Sequence, residues 1–270
     1  MPPSQIVQES QFIKSAESLR FSGAAVRRPF CASWIWNGWM DAIRTHFCVA
    51  DDAEITLESN PGTLDFEKLA GYRRAGINRL SMGMQSACDK ELAMLGRIHN
   101  FDTFVQNYKQ ARRAGFENIN VDLMSALPGQ TVESWEQTLK KAAELAPEHL
   151  SAYSLIIEEG TPFWNWYGED ANQTLRPKEM LPLPSEEDER RMYARTREIL
   201  EQYGYHRYEI SNYAKDGYAC RHNIGYWNRT DYLGIGLGAS SLIDPMRWKM
   251  NGLTLSELSG TAAKIRRETF

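Results

Sequence analysis

Two groups of residues carry side chains whose type and spacing could do chemistry. The first is scattered: Glu58 with Ser59 and Asn60, then Ser81 through Gln85, then Asp122, then Ser154 and Ile156, all near the ends of short apolar runs. Asp122 sits inside such a run, where a carboxylate needs a partner or a ligand to offset its lost hydration. A capped or salt-bridged carboxylate, with Arg97 as partner, is the plain alternative, and Glu58 and Gln85 could each cap a neighbouring loop. The second group is contiguous, Cys220-Arg221-His222-Asn223-Ile224-Gly225-Tyr226-Trp227. Imidazole ligates iron and the aromatic rings stack, so the stretch suits a flat cofactor. Its alternative is an aromatic cluster packed on a sheet edge beside a hydrogen-bonded histidine.

The elements that must position these residues alternate. Glu54–Glu58, Asn78–Met82, Asn118–Met124 and Leu150–Ile157 read as strands. Between them Asp65–Ala75, Phe101–Ala114 and Val132–Ala146 have apolar residues at helical spacing, such as Phe66, Leu69 and Tyr72. Gly76 and Gly115 close the first two helices, and Thr131 can cap the third. The phrase Arg-Arg-Ala-Gly occurs at 73–76 and again at 112–115, each time between a helix and a strand. Strand and helix in alternation without hairpins imply a parallel sheet. The spacing suits a (βα) barrel, whose site lies at the C-terminal strand ends. An open doubly wound sheet is the rival, but no Gly-x-Gly-x-x-Gly follows any strand.

The ends read less clearly. Residues 1–38 show no clean period and no convincing strand, and Met40–Phe47 looks like the end of a helix. Residues 161–184 resemble a crossing loop, Ser185 caps a charged helix at Glu186–Tyr203, and Tyr205–Tyr213 alternates like a strand. Tyr232–Leu242 is a glycine-rich strand or loop, and 253–270 has helical propensity.

Composition excludes several classes. The chain has 270 residues, 42% hydrophobic and 24% charged, which is ordinary for one large globular domain or two modest ones. A net charge of -4 argues against nucleic-acid binding by bulk charge. No apolar stretch reaches the roughly 20 residues that span a bilayer, and no signal peptide is recognisable, so a cytoplasmic protein is expected. Cys31, Cys48, Cys88 and Cys220 are scattered, form no Cys-x-x-Cys pair, and read as reduced thiols. Eight tryptophans are unusual, with Trp34, Trp36 and Trp39 close together.

Six phrases in order, ESNPGT at 58–63, SMGMQS at 81–86, GRIHN at 96–100, NVDLMSALPGQT at 120–131, LSAYSLIIEEGTP at 150–162 and CRHNIGYW at 220–227, resemble one family. It is the oxygen-independent coproporphyrinogen III oxidase-like radical SAM family, and the match is closest to its haem-chaperone branch. The resemblance covers about residues 40–245. It implies an α/β fold, a partial (βα)6 TIM-like barrel, with a 4Fe-4S cluster held by three cysteines and S-adenosylmethionine on the open iron. It places Glu58, Gln85, Arg97, Asp122 and Ile156 at S-adenosylmethionine. It places His222, Asn223, Tyr226 and Trp227 in a His-Asn-x-x-Tyr-Trp motif associated with haem, which the oxidase branch is not expected to carry.

The departures are as informative. No Cys-x-x-x-Cys-x-x-Cys occurs, and the family's Gly-Gly-Gly-Thr-Pro-Ser phrase is missing. Back-translation of Gly23-Ala24-Ala25-Val26-Arg27-Arg28-Pro29 in a shifted frame yields codons compatible with that phrase, and the second base of every shifted codon is forced. The same frame reads Trp34–Gly38 as Asp-Leu-Glu-Arg-Leu. Residues 22–39 are therefore expected to be a frame-shifted version of the family's second βα unit. The expected organisation is an aberrant segment over 1–39, a partial barrel lacking its first βα units over 40–160, a C-terminal α+β extension with the haem motif over 161–245, and the start of a truncated domain over 246–270. A barrel short of its first strands exposes a parallel edge, so self-association is expected. The resemblance implies a haem chaperone that binds haem or porphyrin and passes it to an acceptor protein, without a functional cluster in this chain. The alternatives are an oxygen-independent coproporphyrinogen III oxidase and an inactive fragment with residual haem binding.

Overall fold

The structure is a computed structural model that describes residues 16–21, 33–169, 171, 176–178, 180–234, 239–243, 246–250 and 265–268. Cys31, the stretch 23–29 and most of 253–270 lie outside the described residues. The chain divides into two compact units, one spanning Glu17–Ala219 and a second that holds the described residues from Cys220 onward.

The first unit is an alternating α/β structure. Its elements are β1 (Ala16–Phe21), α1 (Ser33–His46), β2 (Val49–Ser59), α2 (Phe66–Arg74), β3 (Arg79–Gln85), α3 (Asp89–Met94), α4 (Phe101–Arg113), β4 (Asn118–Ser125), α5 (Val132–Glu144), β5 (His149–Ser154), α6 (Pro162–Tyr167), α7 (Glu186–Gln202), β6 (His206–Arg207) and β7 (Asn212–Ala214). They build a seven-stranded sheet in the order β1-β2-β3-β4-β5-β7-β6. Strands β2 to β5 pair in parallel, and β7 runs antiparallel to both β5 and β6. The expected parallel βα order over 54–157 is thus present.

Four sequence expectations change. A strand, β1, lies within the segment that showed no strand, and it hydrogen-bonds beside β2. The β2 edge is therefore paired rather than open. The stretch 205–213 is broken, because two short strands flank a turn in which Tyr208 N–H donates to Asn212 O. The crossing loop contains α6, capped by the Thr161 hydroxyl with Pro162 opening the helix. In the tail, Ile265–Glu268 is a strand.

Local signals explain the helices. Asp65, Asn100, Thr131 and Ser185 each accept a backbone N–H at the start of a helix. The repeated Arg-Arg-Ala-Gly ends a helix both times. Gly76 and Gly115 take φ of 97° and 89°, a left-handed turn that suits glycine. The first arginine of each copy, Arg73 or Arg112, donates to the carbonyl four residues on, at 2.8 and 3.1 Å. The outward sheet face carries Leu57, Leu80, Met82, Ile119, Val121, Leu123 and Leu150, all buried with the helices in one core.

The caps make a titration prediction. The N–H of Lys68 holds the Asp65 carboxyl below its ordinary value of 3.8. A depressed carboxyl adds stability above its unfolded value and loses it as pH falls through the folded one. Asp65→Ala is expected to cost about 1 kcal/mol at neutral pH. The cost should shrink toward zero at acid pH, as read from denaturant midpoints at the two pH values.

In the second unit α8 (Arg221–Trp227) is followed by an antiparallel sheet of β8 (Ser240–Ile243), β9 (Met246–Met250) and β10 (Ile265–Glu268).

Candidate functional site

Parallel strands covered on both faces usually read as continuous apolar runs. Here the register puts polar residues on one face instead. Glu58 stands beside Ser81, Ser81 beside Asn120, Gly83 beside Asp122, and Asn120 beside His149. Their C-terminal ends open into a cleft of about 270 Å³ lined by Glu58, Ser59, Asn60, Ser81, Gly83, Gln85, Asp122 and Tyr153. This is the end of the strands at which α/β proteins place their sites.

The floor of the cleft is a hydrogen-bonded polar layer. Asp122 Oδ1 accepts from Asn120 Nδ2 at 2.7 Å, and Asp122 Oδ2 accepts from the Ser81 hydroxyl at 3.0 Å. Arg97 donates to Asn60 Oδ1 at 3.1 Å, so the guanidinium meets the rim of the cleft through the β2 turn. Behind the layer, buried Glu91 on α3 accepts from Ser86, Gln130 and Ser134, tying together the loops that follow β3 and β4.

Gln85 is placed by strain. The β3–β4 pairing shifts between Gly83 and Gln85, and Gln85 itself takes φ of 64°. A non-glycine residue in that region persists only where its surroundings enforce it. The Tyr153 hydroxyl donates to Gln85 Oε1 at 3.1 Å, and burial, followed by the nearby Asp122, pushes the Tyr153 phenol up. A methyl group on Gly83 would stand 2.8 Å from Gln85 Nε2 and 3.6 Å from Asn60 Oδ1. Gly83→Ala is therefore expected to swing the Gln85 amide away at little cost in melting temperature.

Of the residues expected from the sequence, Glu58, Gln85 and Asp122 share the cleft and Arg97 reaches its rim. Ile156 lies beyond β5, is 77% exposed and does not line the cleft. Ser154 points the other way, toward Ser125 at 3.3 Å. Tyr153 was missed, because only the register with β4 shows which side chains of Leu150–Ile157 face inward.

The second group forms α8. His222 and Tyr226 meet edge to face with ring centroids 4.6 Å apart, and Tyr226 meets Tyr232 at 4.8 Å. Tyr226 is 48% exposed and Trp227 58%. That exposure runs against the alternative of an aromatic cluster buried on a sheet edge.

Residues 37–142 match the model of the radical SAM superfamily. The heme chaperone HemW of Bacillus subtilis (strain 168) is 41% identical over 73% of this chain and 50% of its own length. HemW of Escherichia coli (strain K12) is 40% identical over 74% and 50%. Among solved structures, coproporphyrinogen III oxidase (HemN) from Escherichia coli, a radical SAM enzyme, superposes with a TM-score of 0.70 at 23% identity, covering 92% of this chain and 59% of that one. Residues 37–142 form a radical SAM domain, and the chain is a homologue of the heme chaperones HemW. It spans about half the length of the curated relatives it matches.

The radical SAM family implies two cofactors, and they fit differently. The adenosyl half of S-adenosylmethionine suits the cleft, which offers the Glu58 and Asp122 carboxylates, the Gln85 amide and a side-chain-free cradle at Gly83. For the 4Fe-4S cluster, no Cys-x-x-x-Cys-x-x-Cys occurs in this sequence, and among the described residues no His, Cys, Asp or Glu trio could hold a metal.

Proposed function

We propose that this chain is part of a haem chaperone of the radical SAM family, which binds haem on α8 and an adenosyl group in the β2–β5 cleft. The observation that carries the haem reading is the face of α8, where His222 and Tyr226 lie in contact and Tyr226 and Trp227 are open to solvent. An imidazole beside exposed rings can ligate iron and stack on a porphyrin. Asn223 lies next to His222 on the same helix. The His-Asn-x-x-Tyr-Trp spacing favours the chaperone over the oxidase, as do the relatives named heme chaperone HemW.

In the cleft, Glu58 and Asp122 would accept ribose hydroxyls, Gln85 would contact the base side, and Arg97 would meet a carboxylate; Ile156, outside the lining, is given no contact there. S-adenosylmethionine bound to a reduced cluster supplies a 5′-deoxyadenosyl radical in this family. No residue here supplies the cluster thiolates, so haem binding rather than radical chemistry is the activity assigned to this chain. The partners are then haem and an acceptor protein, in the cytoplasm; among the described residues no helix is long and apolar enough to cross a membrane. Residues 22–39 remain best read as out of frame, which sequencing of codons 20–40 tests.

A haem titration followed at the Soret band tests the reading. His222→Ala is expected to weaken haem binding about tenfold or more, one lost ligand being worth at least that factor. Unchanged affinity would remove His222 from the haem site.

A further inference from the structure

Beneath the cleft, a line of hydrogen bonds leads away from Asp122. His149, fully buried at the start of β5, contacts Asn120 Oδ1 through Nδ1 at 2.6 Å and the Tyr208 hydroxyl through Nε2 at 2.8 Å. The Asn120 amide is oriented by its neighbours. A carboxylate only accepts, so the Asn120 nitrogen must face Asp122, and it also donates to the Ser81 hydroxyl at 2.7 Å. The Asn120 oxygen therefore faces His149, where it also accepts from Ser151 at 3.1 Å. An amide oxygen cannot donate, so His149 carries a hydrogen on Nδ1, and in the neutral ring its Nε2 then accepts from Tyr208.

We infer that Tyr208, His149, Asn120 and Ser81 form a one-directional relay that orients the Asp122 carboxylate for a vicinal diol. Donation runs from the Tyr208 hydroxyl to His149, from His149 to Asn120, and from Asn120 to Asp122 directly and through Ser81. Both Asp122 oxygens are engaged from below by neutral donors, which fixes the carboxylate plane. The same carboxylate lines the cleft, so its oxygens face the space where two adjacent ribose hydroxyls would sit. His149 is a positioning residue: it touches no ligand, and it acts by preventing the Asn120 amide from turning its oxygen onto Asp122. The inference rests on the adenosyl reading of the cleft and adds what makes that site selective for a diol.

The test uses the full chain with adenosine and 2′,3′-dideoxyadenosine as probes. The wild type is expected to prefer adenosine by about tenfold or more, as for lost hydrogen bonds to a charged group. His149→Leu should erase most of that preference, whereas His149→Asn, whose amide nitrogen takes the place of Nδ1, should keep it. Nitrogen NMR of the wild type should show the Nδ1–H tautomer at His149, a readout that needs no ligand. An Nε2–H tautomer, or a His149→Leu protein that still prefers adenosine, would overturn the relay while leaving the adenosyl reading intact. A wild type indifferent to the diol would overturn both.

Discussion

Replacing Asp122 with asparagine is expected to weaken adenosine binding about 10- to 100-fold, because charge-assisted hydrogen bonds are worth about 1.5–3 kcal/mol. Two effects act together. The carboxylate lost is the group that lines the cleft floor, and the amide that replaces it disagrees with its supports. Asn120 Nδ2 and the Ser81 hydroxyl both donate toward residue 122, and an asparagine there can offer an acceptor to only one of them. Asp122→Asn therefore weakens the ligand contact and disorders the layer that holds it. Calorimetry with adenosine measures the first effect, and the melting temperature the second. Equal affinity in the two proteins would mean that Asp122 is a structural carboxylate after all.

The second large effect concerns α1. Trp36 is fully buried and meets Tyr72 edge to face at 5.6 Å and Trp39 at 5.2 Å. Removing a fully buried tryptophan costs about 3–5 kcal/mol, and the cavity left by an indole does not close readily. Trp36→Ala is expected to lose that much stability by denaturant titration, with no change in ligand preference in the protein that remains folded. A loss within about 0.5 kcal/mol, the range of an ordinary surface change, would show that α1 does not belong to this core. The outcome bears on the reading frame. A stretch translated out of frame has no evolved reason to bury its side chains well, yet Trp36 fills the same core as Leu69 and Tyr72. The segment can be foreign in origin and still be used by the fold, because an indole satisfies any apolar gap of its size.

How much was legible beforehand differs by element. The βα order from Glu54 to Ile157 could be read because caps such as Asn100 and Thr131, glycines such as Gly76 and apolar spacing all agree locally. Glu58, Gln85 and Asp122 stood out because each is polar in an apolar strand. The relay did not stand out: His149 opens β5 like any strand-end polar residue, and only its register with Asn120 shows the connection. Tyr153 was hidden for the same reason. Strand β1 carries no local signature and is identified by its hydrogen bonds to β2. Residues 265–268 show helical propensity but pair with β9, a case in which ladder partners outweigh intrinsic preference.

The most direct test of the cleft as an adenosyl site is a crystal structure of this chain grown with S-adenosylmethionine. The expected density places the ribose hydroxyls within hydrogen-bond distance of the Asp122 carboxylate, with Gln85 and Glu58 alongside and Asn120 still donating to Asp122. Density for the nucleoside elsewhere, with the β2–β5 cleft filled only by solvent, would contradict it.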